Sequence, residues 1–142
     1  MNFITKTKWI LLLCMAMQTF GYSQTSKKEN TMTTPKTTSK TIVFVHGLFV
    51  NPTSWAAWKT YYESKGYTCY IPANPCHEGS PADLRATINP DLPKVGFEDV
   101  VTNIVKLIDT LPEKPIVIGH SLAGLVVQKL VEMGKASAGI CI

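Results

Sequence analysis

The chain has 142 residues and a formal net charge of +4, which fits one domain if the first 40 residues stay outside its core. The charge is uneven: residues 1–40 hold six Lys against one acidic residue, Glu29, and residues 41–142 hold eight Lys or Arg against nine Asp or Glu. The second segment has no basic excess to neutralise phosphates, which argues against nucleic acid as a partner.

Lys6 and Lys8 precede an apolar run from Trp9 to Met17, and Gly21-Tyr22-Ser23 set small residues before a cleavage point at Gln24. That order predicts a signal peptide over 1–23 and an exported, periplasmic or secreted protein. The alternative is an uncleaved membrane anchor. Its apolar run of about 12 residues falls short of the roughly 18 that a spanning helix needs, so no stable membrane insertion is expected once the signal is removed. Leu13 is too bulky for Cys14 to be a lipoprotein site. Residues 24–40 are Thr, Ser and Lys without periodic apolar positions and read as a disordered linker.

Cys69, Cys76 and Cys141 are odd in number and widely spaced, which is not a disulfide framework. Cys69 and Cys141 lie in apolar runs and are expected in the core. Cys76-His77 alone is too little for zinc, so neither a metal nor a cofactor is expected.

From Thr41 onward, short apolar runs alternate with helical stretches, the pattern of β-α-β units and a parallel sheet. Thr41-Ile42-Val43-Phe44-Val45 lacks polar alternation, as a strand buried on both faces should. Asn51-Pro52 offers a cap and a first helical residue; Trp55, Trp58 and Tyr62 then recur at helical spacing until Gly66. These three are expected in the core, with lining of an acyl pocket as the alternative. A second strand spans Thr68–Ile71, and a Pro-rich loop runs from Pro72 to about Pro93.

Phe97–Leu111 predicts a helix whose stripe is Val100, Ile104, Leu107, Ile108 and Leu111, ended by Pro112. Pro115–Ile118 reads as a third buried strand, Leu122–Met133 as a helix stopped at Gly134, and Ala138–Ile142 as a fourth strand with an unpaired edge.

The join at residues 118–124 carries the chemistry. A buried strand enters Gly119-His120-Ser121-Leu122-Ala123-Gly124 and emerges as a helix with almost no loop. A serine at such a turn is forced into a strained backbone that lifts its hydroxyl off the sheet edge. The residues two before and two after it must be small, and Gly119 and Ala123 are; Gly124 keeps the helix start slim. The helix N-terminus directs N–H groups and a positive dipole end at a developing oxyanion, with Leu122 as one donor. A second donor is expected after the first strand, where Gly47 in His46-Gly47-Leu48-Phe49 lets Leu48, ahead of Phe49, turn its N–H toward the serine. His46 is expected to bond nearby backbone and not to act as a catalyst. The bland reading of Ser121 is a helix N-cap.

On these motifs, residues 41–142 resemble the N-terminal half of an α/β-hydrolase of the esterase, haloperoxidase and epoxide-hydrolase-like group. Val45-His46-Gly47-Leu48 matches the oxyanion loop and Gly119-His120-Ser121-Leu122-Ala123-Gly124 the nucleophile elbow, with Ala123 where glycine is common. Pro75-Cys76-His77-Glu78-Gly79-Ser80 partly matches a Gly-His-Gly-x-Ser segment, and an Asn-x-x-x-Trp-like stretch runs from Asn51 to Trp55. The resemblance implies a partial α/β-hydrolase fold: about four parallel strands with helices on both faces in three layers, and later strands missing. It implies a serine hydrolase acting on small ester-like carbonyl substrates, with Ser121 as nucleophile.

In the family an acid and then a histidine follow the serine. None of the 21 residues after Ser121 is Asp or His, and Glu132 lies within a predicted helix. His120 is expected to point away from the serine, and His77 lies in a loop the family does not use for its base. The expected parent is a catalyst of which this chain is one portion. The alternative is a non-catalytic binding protein of the same fold, or an inactive truncated fragment. A dinucleotide fold is excluded because Ser121 stands where its second glycine must be, and a P-loop because Leu125-Val126 follows Gly124.

Overall fold

The computed structural model describes residues 37–142, so the expected signal peptide and most of the expected linker lie outside the described residues. The linker's last residues are held in place. Ser39 is buried, and Ser39 Oγ, Lys40 N and Thr41 Oγ1 donate to one carboxylate oxygen of Glu113 at 3.0, 3.0 and 2.7 Å. Those bonds, Thr41's foremost, hold the Glu113 carboxyl below the usual carboxylate range. Among the described residues no helix is long and apolar enough to cross a membrane.

Four parallel strands form one sheet: β1 (Thr41–Val45), β2 (Thr68–Tyr70), β3 (Ile116–Gly119) and β4 (Ala138–Cys141), in spatial order β2-β1-β3-β4. The helices are α1 (Ala56–Glu63), α2 (Pro81–Ala86), α3 (Phe97–Ile108) and α4 (Ala123–Glu132). The sheet is covered on both faces. Val43, Val45 and Val117 pack against Val101, Ile104 and Ile108 of α3 and Val126, Val127 and Leu130 of α4. Ile42, Phe44, Cys69 and Ile118 face the other way, onto Trp55 and Tyr62. β1 is apolar throughout because it is buried on both sides; each such Phe or Ile side chain contributes about 1.5–3 kcal/mol.

Several local readings are corrected. The stretch from Pro72 to Pro93 is not wholly loop: α2 starts at Ser80, whose Oγ accepts from Asp83 N at 3.2 Å while Asp83 Oδ2 accepts from Ser80 N. This capping box, with Pro81 as first helical residue, is a helix start that Ser80-Pro81-Ala82-Asp83 already spells. A short 3-10 turn, Leu92–Lys94, follows. Another, Pro52–Trp55, is capped by Asn51 and precedes α1. α3 ends at Ile108, and its buried line is Val101, Ile104 and Ile108, with Val100, Leu107 and Leu111 at the margin. α4 begins at Ala123 and ends at a left-handed Gly134, where Lys135 N bonds Leu130 O at 2.9 Å. Cys141 is exposed and not in the core, because β4 has only β3 beside it among the described residues.

Chain order places the site. After β1 the chain adds β2 on one side, then returns past β1 to add β3 on the other. The loops after β1 and β3 therefore leave neighbouring carboxyl ends in opposite directions, opening a crevice between them, which is where ligands bind in open parallel sheets.

Candidate active site

Val45 is paired in register with Gly119, so His46-Gly47 and His120-Ser121 leave the sheet side by side, and His120 N bonds Val45 O at 3.3 Å. Ser121 has φ +57°, in the left-handed region that non-glycine residues rarely adopt. Its hydrogen bonds enforce this. Ser121 N donates to Ile142 O at 2.8 Å, and Ser121 O accepts from Gly124 N at 2.8 Å. A side chain at Gly119 would place its Cβ 2.4 Å from Ala123 O and 2.6 Å from Val127 Cγ2, so the elbow closes only over glycine. Gly124 is less constrained: a Cβ there would touch Cys141 Cβ at 3.4 Å.

The first turn of α4 spends the N–H groups of Ala123, Gly124 and Leu125 on the carbonyls of His120, Ser121 and Leu122. The N–H of Leu122 has no acceptor among the described residues. The chain at Gly47 comes close enough that a Cβ there would lie 3.0 Å from His120 Nδ1 and 3.3 Å from Ser121 Cβ. His120 is exposed and lies on the Gly47 side of the elbow.

His46 is fully buried beneath this loop. Its Nε2 accepts the N–H of Asn74 at 3.0 Å, so the ring proton resides on Nδ1 and is donated to Gly47 O at 2.8 Å. Val50 N also points at Gly47 O, at 3.5 Å. A trans peptide sets its C=O and N–H in opposite directions. Gripping Gly47 O therefore aims the N–H of Leu48 the other way, and that N–H has no acceptor among the described residues. His77 braces the next peptide, with Nε2 3.2 Å from Leu48 O and Nδ1 2.9 Å from Pro75 O. A neutral ring has one N–H, so it donates to one of these two carbonyls.

Burial, foremost, and the neighbouring His77 lower the His46 pKa below its ordinary 6.5, against the opposing pull of the Gly47 bond. The unfolded chain thus takes up a proton before the folded one. Stability present above pH 6.5 is lost as pH falls below it, until the buried ring also protonates. Unfolding free energies from denaturant melts between about pH 7.5 and about pH 5 should fall with pH, by no more than ~1.4 kcal/mol per pH unit from this group. His46→Gln should flatten that component; an unchanged slope would remove His46 as its source.

The loop after β2 is a structural partner of the site. Asn51 Nδ2 donates to Gly79 O at 3.0 Å and Asn103 Nδ2 to Ala73 O at 2.8 Å, tying that loop to the segment after β1 and to α3. Cys76 has φ +63°, a backbone position suited to glycine, which explains why the resembled motif carries glycine there. Asn74, four positions beyond the end of β2, carries no sequence signal of this role.

A cavity of about 310 Å³ opens beside the elbow, walled by Leu48, Phe97, Val100, Leu122 and Val126 with His46, Asn74 and His77. Trp55, Trp58 and Tyr62 take no part in it; they cluster on Phe44 at ring separations of 5.0, 6.5 and 5.9 Å on the opposite face. Among the described residues no three His, Cys, Asp or Glu side chains converge as metal ligands.

The profile described as "Alpha/beta hydrolase family" matches residues 42–142. Comparison with curated proteins found no match. Tomato methylketone synthase I, solved with 2-tridecanone, is 25% identical with a TM-score of 0.56, over 74% of this chain and 40% of its own. Polyneuridine aldehyde esterase is 25% identical with a TM-score of 0.54, over 72% of this chain and 39% of its own. The pyrethroid hydrolase PytH shares the fold at 21% identity and a TM-score of 0.58, over 71% of this chain and 38% of its own. The chain thus spans 38–40% of the length of these three proteins.

Proposed function

Because the chain belongs to the α/β-hydrolase family, we propose that it supplies the nucleophile and oxyanion donors of a serine hydrolase acting on ester-like carbonyls. The observation that carries this is Ser121 at φ +57°, exposed at a strand-to-helix turn that only glycine at 119 permits. A helix N-cap alone explains neither feature, since caps take extended backbone.

In this reading Ser121 Oγ bonds to the carbonyl carbon, and the carbonyl oxygen becomes an oxyanion held by the N–H groups of Leu122 and Leu48. Leu122 adds the positive end of the α4 dipole. The proton from Ser121 passes to a base and on to the leaving alcohol, and water then releases the acyl group by the reverse path. In the family the base is a histidine downstream of the nucleophile; residues 122–142 contain none. Residues 1–23 direct export in the same reading. An esterase neighbour, polyneuridine aldehyde esterase, agrees with the carbonyl chemistry.

Turnover of p-nitrophenyl esters by the purified full-length protein tests the reading. Saturable hydrolysis above the uncatalysed rate is expected; a folded protein with no turnover across short and medium acyl chains would refute it.

A further inference from the structure

The turn after β2, closed by His77 N to Asn74 O at 3.0 Å, grips the segment after β1 twice. At one end Asn74 N–H holds the His46 ring, which holds Gly47 O; at the other the His77 ring meets Leu48 O. The two rings lie 5.3 Å apart. Leu48 sits between the two gripped peptides and has only φ and ψ to turn with, so holding both carbonyls sets the direction of its N–H.

The second grip depends on a proton. In the neutral ring the one N–H belongs with Pro75 O, which is nearer, at 2.9 Å against 3.2 Å, and lies in the same turn. Nε2 then turns a lone pair to Leu48 O, and two acceptors face each other. A second proton replaces that repulsion by a charge-assisted hydrogen bond, the stronger kind. His46 does not compete for this proton, because burial, foremost, and His77 itself lower its pKa. The other titratable or charged side chains about the ring are its chain neighbours Cys76 and Glu78, and Arg85 on α2, which lines a cavity with it. α3 and α4 present only apolar side chains to the cavity they share with His77.

We propose that His77 is a positioning residue of the oxyanion hole: doubly protonated, it locks Leu48 O and keeps the Leu48 N–H aimed at the elbow, and neutral, it releases both. The inference rests on the ester-hydrolase reading of Ser121 and adds a proton-dependent support to its oxyanion hole.

Carbonyl 13C spectra of the full-length protein test the lock, over the pH range in which long-range 1H–15N spectra show the His77 ring to titrate. The Leu48 carbonyl carbon should move downfield as the ring protonates, with the ring's own midpoint. It should move further than that of Pro75, whose bond is present in both states. An unmoved Leu48 carbon, or a larger movement at Pro75, would overturn the proposal. Rates test the consequence. The amide of His77→Gln donates to Leu48 O at every pH, and the ratio of wild-type to variant kcat on a p-nitrophenyl ester cancels the titration of the base that both share. That ratio should fall about tenfold as the ring loses its proton, short of the roughly 10²- to 10³-fold cost of losing an oxyanion donor outright, with KM little changed. A ratio constant with pH would also overturn it. Absence of all ester turnover would count against the hydrolase reading and the catalytic role together, and the proton-dependent lock would then stand or fall on the carbonyl spectra.

Discussion

Ser121→Ala is expected to abolish ester turnover, by about 10⁴- to 10⁶-fold in kcat by the scale of nucleophile removal in serine hydrolases. Alanine keeps the Cβ and therefore the strained backbone, so the fold should be nearly unchanged in stability. Ser121→Gly separates the two roles of the position. It also removes the nucleophile, but it relieves the cost of φ +57°, about 1–2 kcal/mol for a residue with a Cβ. The greater freedom of glycine in the unfolded chain takes back about 0.5–1 kcal/mol. The glycine variant should thus be inactive yet more stable than the alanine variant by roughly 0.5–1 kcal/mol. A glycine variant less stable than the alanine one would show that the left-handed turn is not under strain.

Gly119→Ala is the second large effect, and it acts through the fold. The added methyl would lie 2.4 Å from Ala123 O and 2.6 Å from Val127 Cγ2, with backbone on one side and a packed core side chain on the other. The carbonyl cannot withdraw without shifting the first turn of α4, and Val127 is fully buried. Overpacking costs about 1–3 kcal/mol where neighbours can yield; against rigid backbone we expect about 3 kcal/mol or more. Denaturant melts check it, and a loss below about 1 kcal/mol would mean that the elbow tolerates a Cβ there. Any variant that stays folded should lose activity too, because moving α4 moves Ser121 and the Leu122 N–H together.

What was legible in the sequence follows the physics of each element. Strands buried on two faces write themselves as unbroken apolar runs, so β1 and β3 stand out as Ile42–Val45 and Ile116–Ile118. The elbow is legible because its steric demands fall on neighbours in sequence, Gly119 and Ala123 about Ser121. α2 is masked by the prolines of the Pro72–Pro93 stretch, which suggest a loop, although Ser80 and Asp83 encode its start. The stripe of α3 reads correctly at Ile104 and Ile108 but takes Val100 for Val101, since the two are equally apolar and only the position of the sheet decides which is buried. The exposure of Cys141 depends on strand order, which periodicity does not carry.

Long-range hydrogen bonds are the least visible layer. The link from Asn74 through His46 to Gly47 O spans 28 residues, and no local pattern announces it. The same holds for the contact of His77 with Leu48 O and of Asn51 with Gly79 O. Together they turn a loop that looks unremarkable in sequence into the support of the segment after β1.

The central claim is that Ser121 is a nucleophile presented to two free N–H groups. Reaction of the full-length protein with a serine-directed alkyl fluorophosphonate, followed by peptide mass spectrometry, tests it most directly. One phosphonyl adduct is expected, on the peptide bearing Ser121, lost in Ser121→Ala and suppressed by a competing ester. An adduct confined to another serine, or none on a folded protein that turns over esters, would contradict it.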